Sequence, residues 1–101
     1  MANITTNPRY WVLDTAATIV AVGTTVVVRR IVLFPSAVND DANINEYIAA
    51  GTASEAMHIK GGPSAVDPVT LDWGREGRAL NGFILATLDG TSKLEVYIGR
   101  D

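Results

Sequence analysis

The sequence predicts a single all-β domain, an antiparallel β-sandwich of about eight short strands with jelly-roll-like or Greek-key connections. Three observations favour this fold class. Apolar residues occur in short runs that alternate with polar residues and are interrupted by glycine, proline, asparagine and aspartate. Many of the aliphatic residues are β-branched, which favours strands. No stretch has the period of a convincing amphipathic helix, and a chain of 101 residues supplies one core.

The first half of the chain is expected to contain four strands. They cover residues 9–14, 18–22, 25–34 and 42–50. Gly23 ends the second of them, and Pro35 ends the third because proline has no N–H for the hydrogen-bond ladder. Residues 45–56 are rich in alanine and glutamate and could form a helical turn, but Gly51 interrupts that pattern.

The second half is expected to contain four more strands, separated by glycine-containing loops. They cover residues 55–60, 68–73, 80–88 and 93–98. The final strand alternates regularly, with Leu94, Val96 and Ile98 facing inward. Asp89 and Gly90 form a typical hairpin-turn pair, since glycine readily adopts a positive φ, so residues 80–98 are predicted to form a β-hairpin.

The strand predicted at residues 25–34 is apolar on both faces, whereas a sandwich strand usually has one wet side. Simple alternation places Val26, Val28, Val32 and Phe34 on one face of the strand, and Val27, Ile31 and Leu33 on the other face. Burial on both sides requires either a covering loop or a subunit contact, and the sequence leaves both open. Arg29 and Arg30 lie within this apolar run, so they are predicted to be charge partners in an interface.

Residues 1–7 are predicted to form an N-terminal arm, and residues 8–101 the β-sandwich domain. In the arm, Ile4, Thr5 and Thr6 have suitable β propensity to add a strand to the sheet edge of a neighbour. The start lacks the charged and apolar regions of a signal peptide, and no run approaches the roughly 18 apolar residues of a membrane helix. We therefore expect a soluble protein without membrane contact.

The composition argues against several classes of function. The formal net charge is −3, with 8 Lys and Arg, whereas nucleic-acid binders usually carry a basic excess that neutralises phosphate. The absence of cysteine excludes disulfides and thiolate metal sites. Nucleic acid is therefore not an expected partner.

Catalytic and metal-binding patterns are weak. The chain has one histidine, His58, which argues against a zinc site, and no serine lies in the Gly-x-Ser-x-Gly pattern of a nucleophile elbow. Asp40 and Asp41 could offer oxygen ligands to Ca²⁺, but turns rich in Asn and Asp usually cap their own backbone. Asp72 and Glu76 could form the carboxylate pair of a glycosidase. Because Arg75 and Arg78 lie nearby in the sequence, a role as salt-bridge partners is the simpler explanation for both carboxylates. We predict no catalytic residue, no metal and no cofactor.

Aromatic residues remain as candidates for binding, because exposed rings on a β-sandwich can stack on sugars. The candidates are Tyr10, Trp11, Tyr47, Trp73 and Tyr97. The two tryptophans lie on the apolar phase of their strands, so they are expected to pack in the core or at its rim. The segment that follows Trp73 is charged, and an exposed contact loop is predicted from Trp73, Arg75, Glu76 and Arg78.

Three further segments share their pattern with a known class of proteins. They are Asn-Pro-Arg-Tyr-Trp-Val-Leu-Asp-Thr-Ala near the start, Val-Arg-Arg-Ile-Val-Leu-Phe-Pro in the middle, and Leu-Asn-Gly-Phe-Ile-Leu-Ala-Thr-Leu-Asp-Gly-Thr-Ser-Lys-Leu-Glu-Val-Tyr-Ile-Gly near the end. Together these segments resemble small virion structural proteins of tailed bacteriophages. The resemblance is one of pattern over most of the chain. Such proteins are often β-sandwiches that decorate or cement the capsid, commonly as trimers.

The resemblance implies a non-enzymatic capsid decoration or cement protein. Its partners would be the major capsid protein and further copies of itself, as a homo-oligomer and specifically a trimer. It would be made in the host cytoplasm and end on the capsid surface of the virion. A head–tail connector or tail component is an alternative within this class, and a carbohydrate-binding β-sandwich module is the alternative that the aromatic residues leave open.

Overall fold

A computed structural model describes residues 3–6, 9–49 and 51–99 of the chain. Within these residues all regular structure is β-strand, arranged as one antiparallel sheet of seven strands. The strands are β1 (Tyr10–Leu13), β2 (Ala17–Phe34), β3 (Asp41–Ala49), β4 (Thr52–Lys60), β5 (Val69–Asp72), β6 (Arg78–Leu88) and β7 (Lys93–Ile98). The predicted all-β antiparallel fold class is therefore confirmed. No helix long and apolar enough to cross a membrane occurs in the described part of the chain.

The long strand β2 belongs to two layers. The strand order is β1-β7-β2-β6-β3-β4, and β5 also pairs with β2. The first part of β2 pairs with β6 as far as Val28, whereas the part from Val28 to Phe34 pairs with β7. Strand β5 pairs with the same second part from the opposite side. The first layer is thus β1-β7-β2-β5, and the second layer is β2-β6-β3-β4.

The two layers pack face to face. Trp11 of β1 and Phe83 of β6 lie three strands apart in the sheet order, which is about 14 Å in a flat sheet. Their rings nevertheless meet edge to face, with centroids 5.2 Å apart. The sheet therefore folds over along β2, as a sandwich requires. The core between the layers contains Trp11, Leu13, Val28, Ile31, Leu33, Ala42, Ile44, Met57, Ile59, Leu80, Phe83, Leu85, Leu94 and Val96.

The difference between the predicted eight strands and the observed seven lies at Gly23. The separate strands predicted at 18–22 and 25–34 are both parts of β2. Gly23 has a φ of 91° and its N–H donates to Asn81 Oδ1 at 3.0 Å. The register with β6 shifts between Val20 and Thr25. Gly23 therefore forms part of a bulge in a continuous strand instead of ending a strand.

A second irregularity explains why residues 25–34 are apolar in both phases. The register between β2 and β7 shifts between Val28 and Arg30. Because the shift resets the alternation, Val28 and Ile31 both point into the core and are fully buried. The prediction that placed these two residues on opposite faces was wrong. No covering loop or subunit contact is needed to bury both.

The prediction that residues 80–98 form a β-hairpin was also wrong, because β6 and β7 do not pair with each other. Strand β6 pairs with β2 and β3, whereas β7 pairs with β1 and β2. Residues 89–92 therefore carry the chain from one layer to the other, with Gly90 at a φ of 57° and Ser92 buried. A local hairpin is found instead in β3 and β4, where Asp41 pairs with Lys60. The predicted inward positions of the last strand are confirmed, since Leu94 and Val96 are buried.

Residues 3–6 of the predicted arm lie against β1 of the same chain. Ile4 forms a β-bridge with Val12, in which the two N–H groups donate to the opposite carbonyls at 2.8 and 2.9 Å. The Asn3 side-chain oxygen accepts from the N–H groups of Asp14 and Thr15 at 2.8 and 2.9 Å. Residues 1, 2 and 7 of the predicted arm, and residue 50 of the predicted fourth strand, lie outside the described residues.

Candidate functional site

The outer face of the first layer carries a row of side chains that spans four strands. Tyr10, Tyr97, Arg30 and Asp72 are successive register partners across β1, β7, β2 and β5. The rings of Tyr10 and Tyr97 stack with centroids 5.7 Å apart, and the Arg30 guanidinium lies 4.3 Å from the centre of the Tyr97 ring. Tyr97 donates its hydroxyl to Glu95 at 3.0 Å. Stacking, cation–π and hydrogen-bond contacts therefore hold this row in place.

The register shift in β2 brings Arg30 to this face. Val28 points into the core, so strict alternation would also turn Arg30 inward. The shift between Val28 and Arg30 reverses the phase, and Arg30 is exposed while Ile31 is buried. The same local feature thus fills the core and supplies the cation that lies on Tyr97.

A second row beside the first contains both apolar and polar side chains. Val12, Glu95, Val32 and Thr70 are register partners across the same four strands. Phe34 lies two residues beyond Val32, and Phe34 and Tyr10 each keep 39% of their surface exposed. We call this surface the outer face. It comprises Tyr10, Val12, Arg30, Val32, Phe34, Glu95 and Tyr97.

Beside Arg30 is a cavity that we call the arginine cavity. It has a volume of about 200 Å³ and is lined by Arg29, Arg30, Asp72, Gly74 and Arg75. The N–H of Trp73 donates to the Arg29 carbonyl at 2.9 Å, which fixes the end of β5 beside β2. Asp72 then accepts the Gly74 N–H at 2.7 Å, and Gly74 takes a φ of 74°. This turn brings Arg75 to the same cavity as the two arginines of β2.

The structure brings together two segments that the sequence had suggested separately as interfaces. Arg29 and Arg30 on β2 line one cavity with Arg75 of the predicted contact loop. Trp73 is half-buried and packs against the core, as its apolar phase predicted, while its backbone joins the two segments. Both segments therefore belong to one site.

The remaining predicted contact residues lie around this site. Glu76 is exposed in the turn after the cavity, and Arg78 is the half-buried first residue of β6. Ile4, Thr5 and Thr6 are at the β1 edge of the first layer, where Thr5 and Thr6 are exposed.

Several residues of the outer face were missed from the sequence or given another role. Tyr10 and Tyr97 were candidates for sugar stacking only, and Val12 and Glu95 were not considered as site residues. Their outward phase is visible in the alternation of β1 and β7, but the row that joins them depends on strand register. No local pattern of residues reports that register.

In the acidic loop that could have offered Ca²⁺ ligands, the carboxylate of Asp40 is engaged in hydrogen bonds within the same chain. Asp40 Oδ2 accepts hydrogen bonds from the hydroxyl of Ser36, from Ser92 Oγ at 2.9 Å and from the Ala37 N–H at 3.0 Å. The hydrogen bonds from Ser36 and then Ser92 hold the pKa of Asp40 below its ordinary value. No group of three or more His, Cys, Asp or Glu side chains able to hold a metal occurs among the described residues.

The other catalytic candidates also have local partners. His58 is exposed on β4, and its Nε2 lies 3.1 Å from Asp41 Oδ2 on the neighbouring strand β3. Asp72 is occupied in part by the Gly74 N–H, and it lies beside arginines in the cavity lining. These contacts are those of a surface pair and of a turn that caps its own backbone.

The candidate site is therefore a surface of tyrosine, aliphatic and arginine side chains next to a cationic cavity. Tyrosine and arginine are enriched at protein interfaces relative to the rest of the surface, so this arrangement suits contact with another protein. Comparison with protein-family models, with curated proteins and with solved structures finds no match to this chain.

Proposed function

We propose that this chain is a non-enzymatic structural protein of a tailed-bacteriophage virion. Its specific role is that of a capsid decoration or cement protein, which binds the major capsid protein on the outside of the head. The outer face carries this proposal, because Tyr10, Tyr97 and Arg30 adjoin the apolar Val32 and Phe34 there. The pattern of the three sequence segments supports the choice of a virion as the setting.

The outer face has the residue types that supply binding energy in protein interfaces. Truncation of tyrosine and arginine at interfaces often costs more than other truncations, and such residues cluster near the centre of a contact. Arg30 is already stacked on Tyr97, so less side-chain freedom is lost when a partner covers it. The half-buried Val12 and Val32 add apolar area on a face that is usually polar in a solvated sandwich.

Stabilisation of the head would follow from mass action. A protein that binds the assembled lattice, and not the free subunits, favours the assembled state by about 2.7 kcal/mol at a concentration one hundred times its Kd. Self-association into a trimer would add avidity, because linked copies bind neighbouring sites at a high effective concentration. Ile4, Thr5 and Thr6 lie at an edge of the same layer, so the proposal includes contact with a neighbour through these residues.

Co-sedimentation with undecorated heads tests the proposal. Wild-type protein is expected to pellet with the heads at a saturating ratio and to raise their melting temperature. Phe34→Ala and Tyr10→Ala remove contact area from the outer face and are expected to weaken binding roughly tenfold, or about 1.4 kcal/mol each. Ile48→Ala is the matched control, because Ile48 is 67% exposed on β3, outside the outer face.

Three results would redirect the assignment. Equal binding by wild type and both outer-face variants would show that another surface contacts the head. Binding to purified tails but not to heads would favour a connector or tail component. A change in tryptophan fluorescence with added glycans, without binding to any virion part, would favour a carbohydrate-binding module. Light scattering on the free protein reports whether it is a trimer.

A further inference from the structure

The first part of β2 forms an open edge of the second layer. Residues 17–26 pair with β6 on one side, and no strand of the described residues pairs with their other side. That other side belongs to β7, which pairs with β2 only from Val28 onward. The last backbone hydrogen bond there joins the Gly99 N–H to the Val27 carbonyl. Backbone groups along the open edge are therefore available to a strand from another chain.

The other three strand edges of the sandwich are protected in ways that commonly prevent edge pairing. The edge of β1 is covered by the β-bridge from Ile4. Strand β5 is only four residues long and begins directly after Pro68. Strand β4 carries the ionisable side chains of Glu55, His58 and Lys60 along its length. The edge of β2 is thus the one to compare with them.

Residues 17–26 have none of these protections. They contain no charged residue and no proline, no other segment of the described chain pairs along this edge, and most of these residues are exposed. Two register shifts with β6 occur along the edge. The first adds a single residue, which paired strands tolerate as a bulge, whereas the larger one falls around Gly23 and bends the strand. The part suited to pairing is therefore residues 17–22, ahead of that bend.

We propose that residues 17–22 of β2 pair antiparallel with the same residues of a second copy of this chain, across a two-fold axis. Such a contact is isologous, because each copy offers the same strand. The second layers of the two copies then form one continuous sheet, as happens when a strand is added to an open edge. This contact goes beyond the proposed function, because it concerns the free protein and requires no virion.

The composition of the edge favours a second copy as its occupant. Near a two-fold axis each side chain approaches its own copy, so a charged residue would meet a like charge. Residues 17–22 carry no charge, although each whole chain has a net charge of −3. Residues 18–20 are Thr, Ile and Val, and β-branched side chains pair favourably across strands. Val22 is 44% exposed, so the pairing also covers apolar surface.

A two-fold contact is distinct from the three-fold contact that the proposed trimer needs. It joins two single copies where no trimer forms, and it joins two trimers where the trimer forms as well. In both cases the loss of the β2 contact halves the mass of the particle. The ratio of masses between wild type and variant is therefore the quantity to measure.

Light scattering on the free protein, over a wide range of concentration, tests the contact. The variant Thr18→Lys with Ala21→Lys places like charges at two exposed positions of the edge. We expect it to weaken self-association at least about tenfold and to halve the mass. The variant Thr18→Glu with Ala21→Glu is expected to do the same. An equimolar mixture of the two variants is expected to recover the wild-type mass, because opposite charges then meet across the axis.

A matched control and a second measurement locate the contact. Thr52→Lys with Ala53→Lys places the same charges at exposed positions of β4, at the opposite edge of the same layer, and is expected to keep the wild-type mass. Amide hydrogen exchange is expected to be slower for residues 17–22 in wild type than in the lysine variant. Unchanged protection in the other strands would show that the variant keeps its fold.

The outcomes separate this inference from the proposed function. A wild-type mass of one copy or one trimer at every concentration would refute the contact, and so would a failure of the mixture to recover the wild-type mass. An equal loss of mass in the β4 control would refute its assignment to β2. Protection of residues 17–22 that appears only with phage heads would assign the edge to a strand of the partner instead. Two-fold association by a protein that ignores phage heads would refute the proposed function alone.

Discussion

The turn that brings Arg75 to the arginine cavity contains two glycines with similar backbone conformations and different surroundings. Gly74 has a φ of +74°, and a Cβ at this position would meet nothing within 4 Å. Gly77 has a φ of +71°, and its Cβ would lie 2.6 Å from Val27 Cγ1 and 2.9 Å from the Val28 carbonyl oxygen. Alanine at either position meets the left-handed conformation, but only Gly77→Ala also produces a steric overlap.

The magnitude of each substitution follows from these two contributions. The left-handed conformation costs an L-residue about 1–2 kcal/mol, so Gly74→Ala is expected to lower the free energy of unfolding by that amount. Overpacking adds about 1–3 kcal/mol, because the carbonyl of Val28 belongs to a paired strand and cannot move freely. Gly77→Ala is therefore expected to cost about 2–5 kcal/mol, a large part of the 5–15 kcal/mol typical of a domain.

Urea denaturation followed by far-ultraviolet circular dichroism measures both values. The difference between the two variants isolates the contact with Val27 and Val28, since their backbone conformations nearly match. Equal losses of stability, within about 0.5 kcal/mol, would refute the argument that the turn packs tightly on β2. In that case the position of Arg75 would depend on something other than this packing.

Three further predictions concern the core, the acidic loop and the outer face. Phe83→Ala removes a fully buried ring that contacts Trp11 across the two layers. We expect it to lower the free energy of unfolding, measured by urea denaturation, by about 3–5 kcal/mol. A decrease of less than about 1 kcal/mol would contradict the interlayer contact. Because the pKa of Asp40 is lowered in the folded state, its stabilising effect is present above pH 3.8 and is lost as the pH falls through the folded pKa. Asp40→Asn should therefore have a lower melting temperature than wild type at pH 7, and the difference should shrink as the pH falls below 3.8. A difference that stays constant as the pH falls would argue against this stabilising role. Tyr97→Leu should weaken the hold on Arg30 by about 0.5–1 kcal/mol and increase the mobility of its Nε–H in NMR relaxation, so unchanged relaxation would count against the cation–π contact.

The strands themselves could be predicted because their signals are local. The alternation of Leu94 and Val96 with polar neighbours fixes which side of β7 is buried wherever that strand lies in the sheet. The apolar phase of Trp73 likewise predicted that its ring packs against the core. Each of these inferences needs only the period of a strand and the preference of apolar groups for burial.

The connections could not be predicted because one local sequence fits two tertiary arrangements. Asp89 and Gly90 suit a tight hairpin, but the same freedom at Gly90 lets the chain cross between the layers. Gly23 suits a strand end, but it also suits a bulge within β2. In both cases the partner strands decide, and these lie far along the sequence.

The candidate site was predicted in part for the same reason. Charge within an apolar run singled out Arg29 and Arg30, and the charged turn singled out Arg75. These three arginines line the same cavity because β5 pairs with β2, and the backbone hydrogen bond from Trp73 to Arg29 extends this pairing. The position of Arg30 over Tyr97 depends on the register shift after Val28, which no pattern in β2 alone reveals.

The shared strand β2 has a consequence for how the protein is made on the ribosome. All of the partners of β2, namely β5, β6 and β7, follow it in the chain, from Val69 onward. During synthesis the long apolar strand therefore emerges well before anything that can cover it, while only β3 and β4 can pair early. The second layer cannot close until β6 is free of the exit tunnel, and the first layer cannot close until β7 is, so folding is expected to be late and cooperative. The nascent chain spends that interval with its most aggregation-prone segment uncovered, which makes β2 the segment most in need of chaperone protection.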